Sequence, residues 1–181
     1  MPEESASPEL RLLERERARL LAWVERVPEP LRSRRPTPQD WSVVEILEHL
    51  TQVEQSITGL LTARGREPPA EPAAAETLAA ARLTPERAGR IRDRTERLQA
   101  PERVRPAGQL DASEALRSLA AVRAALLAAF LAADPSALDG VVRPHPIVGL
   151  LTLRGWVQFV AHHEARHSAQ VADVAAALGV Q

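Results

Sequence analysis

Five histidines and no cysteine limit the chemistry open to the side chains of this 181-residue chain. Disulfides, thiol nucleophiles, zinc-finger ligands and iron–sulfur clusters are excluded, and any metal has to be held by imidazole and carboxylate. Lysine is absent too, so all 23 basic side chains are arginines. That removes a Schiff-base lysine and a P-loop lysine. Three of the histidines fall in the last long amphipathic segment. At about 100° per residue from Trp156, the residues Phe159, Val160, His163, His167, Gln170, Val171, Val174 and Leu178 lie within about 60° of one direction. His163 and His167 therefore share an apolar stripe four residues apart and can direct both imidazoles at one metal. His162 lies about 120° from the stripe centre, flanking or exposed.

A third ligand has to come from another element. His49 sits in an earlier helical segment near the direction of Ile46, Val53, Ser56 and Leu60, and facing helices of a bundle are a usual place to assemble a metal site. Three neutral imidazoles leave positions open to water or substrate, as in catalytic rather than structural sites. The alternative for each histidine is a hydrogen-bonded core residue. Residues 163–167 read His-Glu-Ala-Arg-His, a literal H-E-x-x-H, in which a zincin protease uses the glutamate as general base. Gln170 and Asp173 replace the Gly and His of the extended motif, and no strand signal precedes the helix, so the protease reading is set aside. Glu164, about 80° off the stripe, is left to orient a ligand, to pair with Arg166 or a neighbour, or to be solvated.

The elements that must position these groups are helices. Ala, Leu, Arg and Glu dominate, alternating β-branched runs are missing, and the 15 prolines fall between long helix-like segments, an all-α pattern. A first helix is predicted from about Pro8 to Val27. A second opens on the capping box of Ser42 and Glu45, with Trp41 and Ile46 as a hydrophobic staple, and runs to about Arg64 with Gly65 behind it. Residues 66–76 form a Pro/Ala/Glu linker, followed by short helices at about 75–82 and 85–99, the latter capped by Thr84. Asp111 and Glu114 box the start of a helix over 112 to about 133. A loop containing Arg143, Pro144, His145 and Pro146 leads to Thr152, which caps a last helix to Leu178. Four long amphipathic helices with one long connection make a four-helix bundle. Trp41, Trp156 and Phe159 read as core anchors, and Trp23 as core or dimer surface.

A net charge of −1 gives no general field for nucleic acid or an anionic membrane, although eight arginines against four acids in 82–105 make a local positive patch. The start MPEESASPEL has no signal-peptide character. The stretch Ala115–Ala133 is too weakly hydrophobic to span a bilayer. A soluble, cytoplasmic protein without membrane or nucleic-acid partners is the expectation.

Three segments resemble the DinB-like superfamily of metalloenzymes, the DinB and YfiT-type bundles: Trp41 to Leu50 (WSVVEILEHL), His145 to Thr152 (HPIVGLLT), and Trp156 through His163-Glu164-Ala165-Arg166-His167 to Gln170. Order and spacing match over roughly 10–178, and only loosely over 66–107. The resemblance implies an up-down-down-up bundle as a single domain over 1–181, with a flexible N-terminus at 1–7 and a long helical connection over 66–110. It further implies a homodimer and a divalent transition metal, zinc or nickel, on His49, His163 and His167. Characterised members of that superfamily include transferases and isomerases that use low-molecular-weight thiols such as bacillithiol or mycothiol, and many others have no known reaction. His145 resembles a recurrent family element that packs the loop against the bundle or meets substrate. The expected function is metal-dependent activation of such a thiol, or of water, toward a small electrophilic substrate. Its rival is a non-catalytic, stress-associated bundle whose histidines bind metal for stability or only hydrogen-bond.

Overall fold

The computed structural model describes residues 7–69, 71 and 73–180. The expected flexible N-terminus over 1–7 lies outside the described residues except for Ser7, whose hydroxyl caps the first helix by accepting from Leu10 N–H. That helix, α1, spans Pro8–Arg26, and a short α2 follows over Glu29–Arg32. Helix α3 spans Val43–Arg64 and opens on the complete capping box of Ser42 and Glu45. Next come α4 (Ala75–Ala80), α5 (Pro85–Arg92) and a single 3₁₀ turn at Glu102–Val104. Helix α6 (Ala112–Leu131) has its own capping box, from Asp111 and Glu114. After α7 (Pro135–Gly140), strands β1 (Val142–His145) and β2 (Gly149–Thr152) pair antiparallel, and α8 runs over Leu153–Ala177 with Thr152 as its cap.

Four long helices, α1, α3, α6 and α8, form the bundle, with α1 packed along α8 and α3 along α6. Glu9 near the start of α1 meets Gln158 and Arg154 near the start of α8. At the other pair, the Gly65 carbonyl behind α3 accepts from Asp134 N–H just past α6. Gly65 has an ordinary right-handed φ of −91°, so it is no left-handed stop. What it permits is close approach, since a Cβ there would lie 2.6 Å from the Leu61 carbonyl oxygen.

The core is divided in two. One cluster contains Leu13, Ile57, Leu126, Val157 and Ala161, the other Leu20, Leu50, Leu119 and Val171. Between them, each long helix contributes one charged residue: Arg17, Glu54, Arg123 and Glu164. Glu54 and Glu164 are 2% and 1% exposed, so their charges survive only because they are paired and hydrogen-bonded. Arg17 bonds Glu54 at 2.9 Å and also Glu164. Arg123 reaches Glu54 at 2.5 Å and Glu164 at 3.0 Å. The arginines spend further N–H groups on the Leu119 and Leu13 carbonyls. Two cations and two anions balance, and every bundle helix is tied into the layer.

Two expectations need correction. The helix predicted over 85–99 ends at Arg92, because Asp93 turns extended and its carboxylate accepts from Thr95 N–H, a local bond that competes with helix propagation. The segment before α8 is a hairpin, not a loop. Its strands are four residues each, the first interrupted by Pro144, which is too short for alternation to register. Gly149, at φ +75°, takes the left-handed conformation its turn needs. Arg87 on α5 pins the hairpin by donating to the Val148 and Leu150 carbonyls, and to those of Ala80 and Arg82.

Candidate metal centre

His49 from α3 and His163 and His167 from α8 meet in space, their nearest nitrogens all within 4.8 Å of one another. Nε2 of His163 lies 3.3 Å from Nε2 of His49 and 3.1 Å from Nε2 of His167. Two nitrogens on a tetrahedral zinc, each at about 2.05 Å, would be about 3.3 Å apart. The outer nitrogens are already committed. Nδ1–H of His49 donates to the Val104 carbonyl at 2.6 Å, and Nδ1–H of His167 donates to Oε1 of Gln170 at 2.7 Å. Each bond fixes the tautomer, leaving the Nε2 lone pair of both rings facing the cluster. Converging lone pairs repel unless a cation or proton lies between them. The donor set, its spacing and its outer bonds therefore fit a divalent transition metal.

Burial keeps these rings neutral. It pushes His49 below its usual range, partly offset by the Val104 bond. His163 is driven well down by burial and by its neighbours His167 and His49. His167 falls to about 3 through burial and His49, with the Gln170 bond opposing. Replacing Gln170 by Leu removes the acceptor that orients His167, and metal affinity, read by competition with a chromogenic chelator, is expected to drop about 10–100-fold. An unchanged affinity would mean that Gln170 plays no part in the site.

Glu164 serves none of this. Although it stands between the two histidines in the H-E-x-x-H string, its carboxylate is held away from them by Arg17 and Arg123. The role of orienting a metal ligand is thus corrected, and so is pairing with Arg166. His162 is also outside the cluster, its Nδ1 accepting from Arg92 at 2.9 Å. His145 is buried at the end of β1 against Trp156 and Phe159, with ring centroids at 4.8 and 4.3 Å. Its Nδ1 accepts from the Ile147 and Val148 N–H groups, which fastens the hairpin tip.

Because Nδ1 must stay unprotonated for that, His145 carries a pH signature. Burial first, then Arg103 and Arg87, lower it from 6.5 to about 4. The unfolded chain takes up a proton before the folded one, so the stability it contributes is whole above pH 6.5 and lost as pH falls toward 4. Between neutral pH and about pH 4.5, the metal-free parent should lose about 2–3 kcal/mol more than a His145→Gln variant in urea unfolding. Parallel losses in the two proteins would refute it.

A cavity of about 600 Å³ opens over the three histidines, walled by Trp41, Trp156, Phe159 and His145 and by residues 90–105 of the connection. Trp41, Trp156 and Phe159, expected as core anchors, thus border the site; the Phe159 ring stacks on His163 at 5.2 Å and Trp41 lies 5.0 Å from His49. Trp23 packs on the core beneath Arg26. Sequence reasoning missed the Val104 carbonyl, for which no side-chain signal exists. It also missed Glu48, whose carboxylate holds the Ala107 and Gly108 N–H groups and so keeps that strand of the connection on α3. Gln170, three residues after His167 on the same stripe, was the one outer partner whose spacing could have revealed it.

The sequence pattern of the DinB superfamily matches residues 12–171. The chain belongs to the DinB superfamily. A relative, the uncharacterized protein YuaE of Bacillus subtilis (strain 168), is 29% identical over 143 residues, 78% of this chain and 82% of YuaE. The solved structure of TT2238, a four-helix bundle protein, superposes with a TM-score of 0.58 at 24% identity, covering 91% of this chain and 96% of that one, a likeness of fold. No helix among the described residues is long and apolar enough to cross a membrane.

Proposed function

We propose that this chain is a metal-dependent enzyme in which His49, His163 and His167 hold zinc or nickel and a low-molecular-weight thiol, such as bacillithiol, or water is delivered to a small electrophile. The observation that carries the reading is the convergence of three Nε2 atoms while Nδ1 of His49 and of His167 is bound elsewhere. A divalent cation held there supplies the Lewis acidity that makes a thiol or water nucleophilic at neutral pH. The protein's part is to hold three neutral imidazoles on two packed helices and to line the cavity over them with Trp41, Trp156 and Phe159.

One feature favours thiol over water. With Glu164 spent on Arg17 and Arg123, the general base of an H-E-x-x-H hydrolase is missing, and a thiol, already acidic near pH ~8.5, has less need of one. The chain has no cysteine, so the thiol arrives from solution. The same reading has the protein act as a cytoplasmic homodimer, its mass in solution being the direct check.

Elemental analysis of protein purified without an affinity tag tests the metal. About one equivalent of a transition metal is expected per chain, absent when all three histidines are replaced by alanine. Equal metal content in the two preparations would end the proposal.

A further inference from the structure

The cavity wall carries a charge that the chain as a whole does not. Among the described residues, six arginines line it against two carboxylates, Asp40 and Glu96, in a protein of net charge −1. Asp40 is already engaged by Arg97. Closest in sequence to the metal-centre histidines is Arg166, which stands between His163 and His167 on α8. Its Nη2 donates to the Glu96 carbonyl, while its Nη1 is enclosed with no acceptor among the described residues. A buried guanidinium N–H without a partner is costly, so this one marks a missing oxygen. Arg94 lines the same cavity as Arg166, and its own partner, Asp173, is 71% exposed and therefore heavily screened. The three imidazoles are neutral and bring no negative charge, and Glu164 is already paired with Arg17 and Arg123. Like charges are thus concentrated beside a centre whose donors would hold a further cation.

We infer that Arg94 and Arg166 form an oxyanion site, which takes the carboxylate or phosphate of a small molecule whose other end reaches the histidine cluster. The inference rests on the proposed metal centre only for what that other end meets; the anion site itself needs no metal. The geometry suits a small molecule. The cavity is of metabolite size, and guanidinium groups bind planar or tetrahedral oxyanions through paired N–H donors. A concave, local patch on a chain without general positive charge does not fit a nucleic-acid strand.

Trp41 and Trp156 border the cavity, so tryptophan fluorescence of metal-free full-length protein can follow titration with inorganic phosphate and, separately, with succinate. Saturable binding of at least one is expected, and the stronger of the two tells phosphate from carboxylate. An Arg94→Gln/Arg166→Gln double variant should bind at least tenfold more weakly, and Arg94→Gln alone, at a side chain 28% exposed, at least threefold. Arg117→Gln, outside the cavity, should match the parent. The His49/His163/His167 triple alanine variant should keep the anion and lose the metal, while the arginine variants keep the metal, so the two readings fail separately. No saturable response to either anion, equal affinity in parent and Arg94→Gln, or tighter binding of a short oligonucleotide than of both small anions would overturn the oxyanion site.

Discussion

Replacing Glu54 by Leu is expected to lower the unfolding free energy by about 3–5 kcal/mol, the cost of leaving a buried charge without its partner. Glu54 accepts from both Arg17 and Arg123, and without it two guanidiniums share the single carboxylate of Glu164 in the middle of the core. For a domain of this length that corresponds to a fall of roughly 10 °C in Tm. The counterpart is the removal of the whole layer. With Glu54 and Glu164 changed to Leu and Arg17 and Arg123 to Met, most or all of the loss should be recovered, since well-packed apolar groups replace buried ion pairs at little cost. Urea unfolding of the two variants and the parent reads both effects. A single-variant loss below about 1 kcal/mol would show that water reaches the layer and screens it.

The second large effect concerns the metal. Adding zinc or nickel to the metal-free protein at about 100 times its dissociation constant should stabilise the fold by about 2.7 kcal/mol. His167→Ala should abolish that shift, weakening affinity by more than about 100-fold, beyond what loss of an outer partner such as Gln170 produces. His162→Ala is the informative control. It adjoins His163 in sequence, yet its ring is turned to Arg92, so the metal-induced shift should persist. If both variants lost the shift alike, the assignment of His163 over His162 would fall.

These two expectations also show where sequence reasoning was sufficient. Helical periodicity separated His162 from His163 and His167 because a one-residue step turns a side chain by about 100°, and the capping boxes at Ser42 and Asp111 fixed two helix starts to the residue. The same periodicity put Glu164 off the apolar stripe but could not say what stood there. Whether a charge faces water or two arginines depends on Arg17, Glu54 and Arg123 arriving from three other helices, and only packing brings them together. Asp93 ended a helix early through a side-chain bond to the backbone two residues on, a competition that apolar spacing does not record. His49 received its hydrogen-bond acceptor from a main-chain carbonyl, which any residue at position 104 would supply.

The division of labour between bundle and connection has an evolutionary consequence. The three imidazoles sit on α3 and α8, helices whose other faces are locked into the core, whereas much of the opposing wall of the cavity comes from residues 90–105. That stretch contributes Ile91 and Val104 to the buried interior and is otherwise largely solvent-facing. Exchanging it would alter what the chamber admits while leaving the histidine floor and most of the folding energy in place. A lineage built on this plan can therefore acquire new ligands by rewriting one surface segment, provided a carbonyl remains to hold His49.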